Sequence, residues 1–243
     1  MAYRTATPPE KLGPLVRAFA WAHTPKMIAI GAFFFLPLLV PVFAPWGENW
    51  NAMSYLGGAL MLVGMPAMGA YILRTAYRQR KNYVRIHELG FEYRWQDLER
   101  TVLFEDVTEI QSRIEQKITN GIPGPVTHQH KIRTTSGEAL GITHGFADVG
   151  ELVGEIRERT RGIVLERARA SFAEGKTVKM GPLTLGKGEV RVGTLRLPGS
   201  EVRRVEVAGG AISIFNESAR PWVEVPFADV PNAHLLEALL RIC

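Results

Sequence analysis

The chain has 243 residues, a formal net charge of +5 at pH 7 and a hydrophobic fraction of 46%, which allow one or two ordinary domains. The basic excess flanks an apolar block, whereas residues 86–243 carry a net charge of −2, which argues against a nucleic-acid-binding surface. A single cysteine, Cys243, excludes an intrachain disulfide and fits a reducing compartment.

Two uncharged runs near the N-terminus predict a transmembrane hairpin. Residues 27–46 and 52–73 carry no charge, and a helix of about 20 residues spans the hydrocarbon core of a bilayer. Lys and Arg flank both runs, and the short connection between them has neither, so both termini are expected on the cytoplasmic side. The sequence thus predicts a multi-pass protein of the bacterial inner (cytoplasmic) membrane, anchored by residues 27–73.

The segments that flank the hairpin carry its basic charge. Residues 1–26 form a cytoplasmic N-terminal segment whose apolar spacing favours a short helix on the membrane surface, with a simple flanking role as the alternative. Five basic residues follow the second run, and we expect them to contact membrane lipids, although topology determination alone explains them equally well. These residues are Arg74, Arg78, Arg80, Lys81 and Arg85.

The remainder of the chain alternates between strand and helix patterns. Short runs of period two over residues 82–143, broken by Gly and Pro, predict antiparallel strands. Asp148 is expected to cap a helix that extends to Phe172 on an apolar stripe. Strand patterns resume over residues 178–225, and a final helix is predicted over 231–242.

This order indicates an internal duplication. Phe146-Ala147-Asp148-Val149 recurs as Phe227-Ala228-Asp229-Val230, each time immediately before a predicted helix. Upstream, Leu103-Phe104-Glu105-Asp106-Val107 corresponds to Pro198-Gly199-Ser200-Glu201-Val202. The two correspondences differ in spacing, and a long excursion between Ser112 and His130 in the first unit would absorb the difference.

Antiparallel strands closed by one C-terminal helix describe a pleckstrin-homology-like unit. Two such units in tandem fit the length, one over 82–175 with a helix that bridges to the next, and one over 176–243. The predicted fold class is therefore a membrane-anchored α+β protein, with a two-helix transmembrane hairpin followed by two tandem pleckstrin-homology-like units.

The C-terminal part resembles a family of bacterial membrane-anchored proteins of unassigned function with a pleckstrin-homology-like soluble part. The stretches that carry the resemblance are Met180-Gly181-Pro182-Leu183, residues 195–207, Trp222, Pro226-Phe227-Ala228-Asp229 and Pro231-Asn232. Residues 86–175 match more weakly, and Gly199 stands where such proteins often carry tryptophan. The resemblance implies a fold and an anchor, and it supplies no catalytic residues.

The sequence contains no complete motif for phosphate binding, zinc binding or nucleophilic catalysis. Residues 181–188 match a phosphate-binding GxxxxGK[ST] loop except at Gly188, which replaces the hydroxyl that binds magnesium, so we interpret them as a turn. His128 and His130 share one side of a strand, but a zinc site needs three or four convergent ligands. No nucleophile signature is present, and we therefore predict no catalytic residue, metal or cofactor.

Function is predicted as a class only. We expect a non-catalytic, membrane-anchored cytoplasmic interaction module, a scaffold or accessory subunit that offers a protein partner or larger membrane complex a sheet edge or the loop 117–127. Binding of acidic lipid headgroups is the alternative, and an enzyme with a cryptic site is the less favoured one. Homo-oligomerisation stays open. The candidate interaction residues are Lys117, Ile118, Ile122, Val126, His128, His130, Lys131 and Arg133.

Overall fold

The computed structural model of the chain describes residues 9–22, 24–36 and 60–242. Residues 37–59, which belong to the predicted hairpin, and Cys243 lie outside the described residues. A short 3-10 turn, Pro9–Leu12, precedes strand β1, Leu15–Ala20. The predicted surface helix is thus a strand here, and it inserts Phe19 into a core while its other residues stay exposed.

Among the described residues, two α-helices lie between β1 and the next strand. Helix α1 covers Thr24–Phe33, and helix α2 covers Met65–Gln79 after a π-helical turn, Leu60–Gly64. The helices cross where Gly31 meets Gly69, because a methyl group added at Gly69 would lie 2.8 Å from the Gly31 carbonyl oxygen. Glycine at both positions allows this close backbone approach.

Neither helix has the dimensions of a transmembrane span. At 1.5 Å per residue, α1 is roughly 15 Å long and α2 roughly 23 Å long, against a hydrocarbon core of about 30 Å, and α2 contains Arg74 and Arg78. Within residues 9–22, 24–36 and 60–242, no helix is both long and apolar enough to cross a bilayer. The prediction of a multi-pass inner-membrane protein with a transmembrane hairpin is therefore wrong.

The strands of the first half form two antiparallel sheets. The first sheet has the order β1-β2-β3-β4, where β2 is Tyr83–His87, β3 is Gly90–Trp95 and β4 is Leu98–Leu103. A 3-10 turn, Phe104–Asp106, separates it from the second sheet. That sheet has the order β5-β6-β7, with β5 at Val107–Thr119, β6 at Ile122–Thr134 and β7 at Ala139–Thr143.

Helix α3, Val149–Ala173, closes the first half and continues into the second. Its first part places Leu152 and Ile156 in the core beneath both sheets, and its last part places Ala168 and Phe172 in a separate second core. Asp148 does not cap α3 as predicted, because it has a left-handed backbone with φ of 48° and makes no side-chain capping bond.

The second half repeats this order in shorter strands. One sheet contains β8, Val178–Met180, β9, Leu183–Gly186, β10, Glu189–Val192, and β11, Leu195–Pro198. After a 3-10 turn, Gly199–Glu201, the other sheet contains β12, Arg204–Ala208, β13, Ala211–Phe215, and β14, Val223–Pro226. Two 3-10 turns, Phe227–Asp229 and Ala233–Leu235, lead to helix α4, Leu236–Ile242.

The predicted fold class as a whole is wrong. The described residues form four antiparallel sheets and four α-helices, and not a transmembrane hairpin followed by two pleckstrin-homology-like units. Strand periodicity locates strands but does not show how they divide among sheets. Here the 3-10 turns at Phe104–Asp106 and Gly199–Glu201 interrupt the ladder, so that β4 and β11 do not pair with the strands that follow them.

The two sequence correspondences have different structural outcomes. The upstream pair forms equivalent 3-10 turns between the two sheets of each half. The identical tetrapeptides differ, because 227–229 form a 3-10 turn whereas Asp148 takes a left-handed backbone. In the second half the left-handed residue before the helix is Asn232, with φ of 53°.

Candidate functional site

Strands β5 and β6 extend beyond the rest of their sheet. Strand β7 pairs with β6 only from Gln129 to Arg133, and the His144 amide adds one bond to the His128 carbonyl. Beyond this point residues 114–127 form a two-stranded hairpin, which we call the arm. Its tip is the turn at Asn120 and Gly121, which both have positive φ.

One face of the arm continues the core-facing side of the sheet. Ile110 and Ser112 point into the protein, and by strand alternation Ile114 and Ile118 lie on the same side. There they are 56% and 69% exposed, because the two cores formed by the described residues do not extend beneath them. Val126, opposite Gln116, adds to this apolar face.

Asn232 occupies the outer edge of β5 at its beginning. The Ile110 amide donates to Asn232 Oδ1 at 2.9 Å, and the Asn232 amide donates to the Ile110 carbonyl at 2.9 Å. Asn232 Nδ2 also donates to the Thr108 carbonyl at 2.9 Å. A single buried asparagine therefore replaces a neighbouring strand over Thr108 and Ile110 and joins the two halves of the chain.

Along the rest of that edge, the direction of the backbone N–H and C=O groups can be assigned. Both backbone groups of Ile110 point away from β6, whereas the Glu115 carbonyl accepts a bond from Thr127 Oγ1, on β6, at 3.2 Å. The register shift between Gln116 and Ile118 has its extra residue on β6, so backbone groups alternate regularly along β5 beyond Ile110. Those of Ile114, Gln116 and Ile118 therefore also point away from β6. In the part of the chain that the structure describes, no strand pairs with this edge.

A polar cluster lies at the base of the arm. His130 Nδ1 is 2.7 Å from Ser112 Oγ, and the Arg157 guanidinium of α3 donates to the same hydroxyl. Ser112 and His130 are 2% and 5% exposed. A hydroxyl has one hydrogen and two lone pairs, so Ser112 can accept from Arg157 and bond Nδ1 in either tautomer of the neutral imidazole.

Burial and positive charge keep this imidazole neutral. Desolvation, with smaller contributions from the neighbouring Arg157 and His128, lowers the pKa of His130 to about 4. Burial likewise lowers the pKa of Arg157. His130 Nε2 and Arg157 Nε are buried and have no hydrogen-bond partner among the described residues. The His128 ring stacks on His130, with 5.9 Å between ring centroids.

A groove of about 520 Å³ lies on the opposite face of the same sheet. Gln111 and Lys131 belong to its floor, and Ala228 and Asp229 of the second half belong to its wall. The Gln111 side chain donates to the Ala228 carbonyl at 2.6 Å, which fixes the wall against β5. The groove therefore lies where the two halves of the chain meet.

One comparison with known proteins places the chain in a family. The model of DUF6585, described as a family of unknown function, matches residues 1–243. The chain belongs to DUF6585. No curated protein matches this DUF6585 chain. The membership agrees with the unassigned function that the sequence resemblance implied.

The structure brings the predicted interaction residues of this DUF6585 protein to the arm and its base. Ile118 and Ile122 lie near the tip and are 69% and 71% exposed, whereas His130 is buried in the polar cluster. Arg133 pairs with Glu109 at 3.4 Å. The others, which are at least partly exposed, are Lys117, Val126, His128 and Lys131.

The five basic residues predicted to contact lipid are all exposed, but they do not all lie on one secondary-structure element. Arg74 and Arg78 belong to α2, and Arg80 and Lys81 follow it. Arg80 stacks over the Tyr77 ring at 3.7 Å. Arg85 lies on β2, where it stacks over Tyr83 and faces Glu92 at 3.5 Å.

Sequence reasoning missed Ser112, Arg157 and Asn232. Ser112 occupies a core-facing position of an alternating strand, which was a usable signal, whereas Arg157 gave no local signal because it lies on α3, 45 residues from Ser112 in the chain. Asn232 gave no local signal, because its partners are more than 120 residues away. Among residues 9–22, 24–36 and 60–242, no group of three His, Cys, Asp or Glu could hold a metal ion.

Proposed function

We propose that this protein is a non-catalytic interaction module, a scaffold or accessory subunit that binds a protein partner through the arm. The observation that carries the proposal is an outer edge of β5 that no strand of the described residues pairs with, directly beside an exposed apolar face. The partner supplies an extended segment that adds to β5 as a new strand, with apolar residues at alternate positions. The bacterial origin implied by the sequence resemblance stays a prediction.

The physical basis is the cost of leaving such an edge open. An unpaired strand edge presents a row of N–H and C=O groups that readily templates pairing with another chain. Added strands gain affinity from main-chain hydrogen bonds and specificity from alternate side chains. Ile114 and Ile118 would provide such side-chain contacts, and the outward backbone groups of Gln116 lie between them.

The Ser112–His130 contact supports a structural role better than catalysis. A nucleophilic serine needs access to substrate, a base that is active near neutral pH and a group that orients the base. Ser112 is 2% exposed, the His130 pKa is lowered to about 4, and no group among the described residues holds Nε2. We therefore expect no hydrolytic activity from this pair.

The charges near the arm favour a protein partner over an acidic headgroup. Arg113 pairs with Glu115 at 2.5 Å, and Arg133 pairs with Glu109 at 3.4 Å. Two of the nearby cations are therefore compensated by carboxylates of β5. A headgroup site would require a concentration of uncompensated positive charge.

Site-specific photocrosslinking in the native cell tests the proposal. A photoreactive residue at Gln116, on the outer edge of β5, is expected to give a defined adduct, whereas the same residue at exposed Glu224 on β14 is the matched control. Adding Ile118→Asp should abolish the Gln116 adduct, because it places a charge in the apolar face. No adduct at Gln116, or one that survives Ile118→Asp, would overturn the proposal.

A further inference from the structure

We propose that the strand that pairs with β5 is β5 of a second copy of this chain, which makes the protein a two-fold symmetric dimer joined through the arms. The inference rests on the proposed function, because it assigns a partner to the same edge. An isologous contact of this kind requires one edge to be complementary to itself. The sequence of β5 meets that requirement in the register centred on Gln116.

Backbone direction limits the registers. Ile114, Gln116 and Ile118 point their N–H and C=O groups away from β6, so an added strand bonds to these residues. In an antiparallel pair, both members of a hydrogen-bonded pair must face the partner. Symmetric pairing therefore places even-numbered residues of one copy opposite even-numbered residues of the other.

Side-chain charge selects among the registers that remain. When Gln116 lies opposite its own copy, Ile114 faces Ile118 and Glu115 faces Lys117 of the other chain. Apolar residues then meet apolar residues, and opposite charges meet on the other face. Directly opposed pairs of both kinds stabilise antiparallel sheets.

The neighbouring registers are worse for identifiable reasons. Placing Glu115 on the two-fold axis would oppose the two Glu115 carboxylates and bring Arg113 against Lys117. Placing Ile114 on the axis would oppose Ile118 to Ile110, whose outer edge Asn232 already occupies. The register centred on Gln116 lies beyond Asn232 and avoids both conflicts.

The dimer would extend the sheet across the two-fold axis. Strands β6 and β5 of one copy would continue into β5 and β6 of the other, with each Asn120-Gly121 turn beside the other copy's Ser112. The apolar faces of both arms would lie on one side, because residues opposite each other in a sheet share a face. The edges that invite aggregation would then be paired.

Charge exchange within the full-length chain tests the register. Glu115→Lys opposes two lysines in each of the two symmetric pairs, and Lys117→Glu opposes two glutamates. Sedimentation velocity should show each single variant dimerising at least about tenfold more weakly than the unaltered chain. The double variant Glu115→Lys/Lys117→Glu should recover dimerisation, because it restores opposite charges.

A mixture of the two single variants gives the sharpest readout. Every pair between the two variants joins a lysine to a glutamate. The mixture should therefore form heterodimers more tightly than either variant alone forms homodimers. Circular dichroism of each variant controls for folding. A monomeric unaltered chain, or a dimer unaffected by both single exchanges, would overturn the self-pairing inference. A monomer whose Gln116 adduct with another protein is lost in Ile118→Asp would still support the proposed function.

Discussion

Individual polar residues organise the base of the arm. Arg157 reaches from α3 to Ser112 on β5, and Ser112 contacts His130 on β6. The three side chains therefore link one helix to both strands of the hairpin. Because a buried polar group without a partner costs about 1–3 kcal/mol, removing any member would leave the others unsatisfied and loosen the arm at its root.

His130 makes the stability of the fold depend on pH. Its folded pKa of about 4 lies below the ordinary value of 6.5, so the unfolded chain binds more protons between these two values. The contribution of His130 to the free energy of unfolding should therefore fall as the pH falls from about 6.5 towards 4, by roughly 3 kcal/mol at about 1.4 kcal/mol per pKa unit. Urea denaturation followed at pH 7, 5.5 and 4.5 measures this loss.

The variant His130→Gln isolates the contribution of this group. Glutamine keeps a polar side chain at the position but does not titrate, so the variant should lose less stability between pH 7 and 4.5 than the unaltered chain. An identical pH dependence in both chains would show that other groups, and not His130, cause the acid sensitivity.

Asn232 shows why some important residues were beyond sequence reasoning. A left-handed backbone is uncommon except for glycine and asparagine, which agrees with asparagine at φ of 53°. Its bonds to Thr108 and Ile110, however, depend on a contact between segments more than 120 residues apart. No local pattern near residue 232 indicates which strand its amide would meet.

At the scale of elements, the arm was partly predictable. The sequence predicted a long excursion between Ser112 and His130 with an interaction loop over 117–127, whereas most of that loop belongs to the ends of β5 and β6 in the structure. The sequence did not reveal the open edge of β5, because an edge is defined by the absence of a neighbour in space. The direction of that edge became clear only from the bonds of Ile110 and Glu115.

Helix α3 contains two glycines that can be replaced with benefit. Gly154 and Gly162 are exposed, and a methyl group at either position would meet no atom within 4 Å. Because glycine within a helix costs about 0.5–1 kcal/mol relative to alanine, Gly154→Ala and Gly162→Ala should each raise the free energy of unfolding by that amount. Thermal and urea denaturation of the purified chain would measure the gain.

Gly181 is the matched control for these substitutions. It has φ of +61°, and an added methyl group would lie 1.9 Å from the Asp229 carbonyl oxygen. Gly181→Ala should therefore destabilise the chain. A loss of stability in Gly162→Ala comparable to that in Gly181→Ala would contradict the assignment of an open, regular helix at residue 162.

For the whole molecule, hydropathy was the least reliable guide. The two uncharged runs were long enough for transmembrane helices. Hydropathy, however, counts apolar residues and does not show where a helix begins or ends. Helix α1 ends at Phe33 and α2 begins at Met65, and their contact at Gly31 and Gly69 shows that small residues serve backbone packing. The strand and helix order was more predictable, because period-two patterns and turn residues are local signals.

The two halves of the chain are held together by one continuous helix. Phe172, near the end of α3, belongs to the second core, whereas Ile156 of the same helix belongs to the first. Asn232 adds a second connection through β5. A defect in one core should therefore be transmitted to the other, and the chain should unfold in a single cooperative transition.

Single-tryptophan variants would test this coupling. Trp95 packs against the first core and Trp222 against the second, so chains that keep only one of them report each core separately. In each chain the fluorescence midpoint in urea should coincide with that of circular dichroism. Phe172→Ala, which should cost about 3–5 kcal/mol by leaving a cavity in the second core, should lower the Trp95 midpoint as well. A Trp95 midpoint unchanged by Phe172→Ala would mean that α3 does not couple the cores.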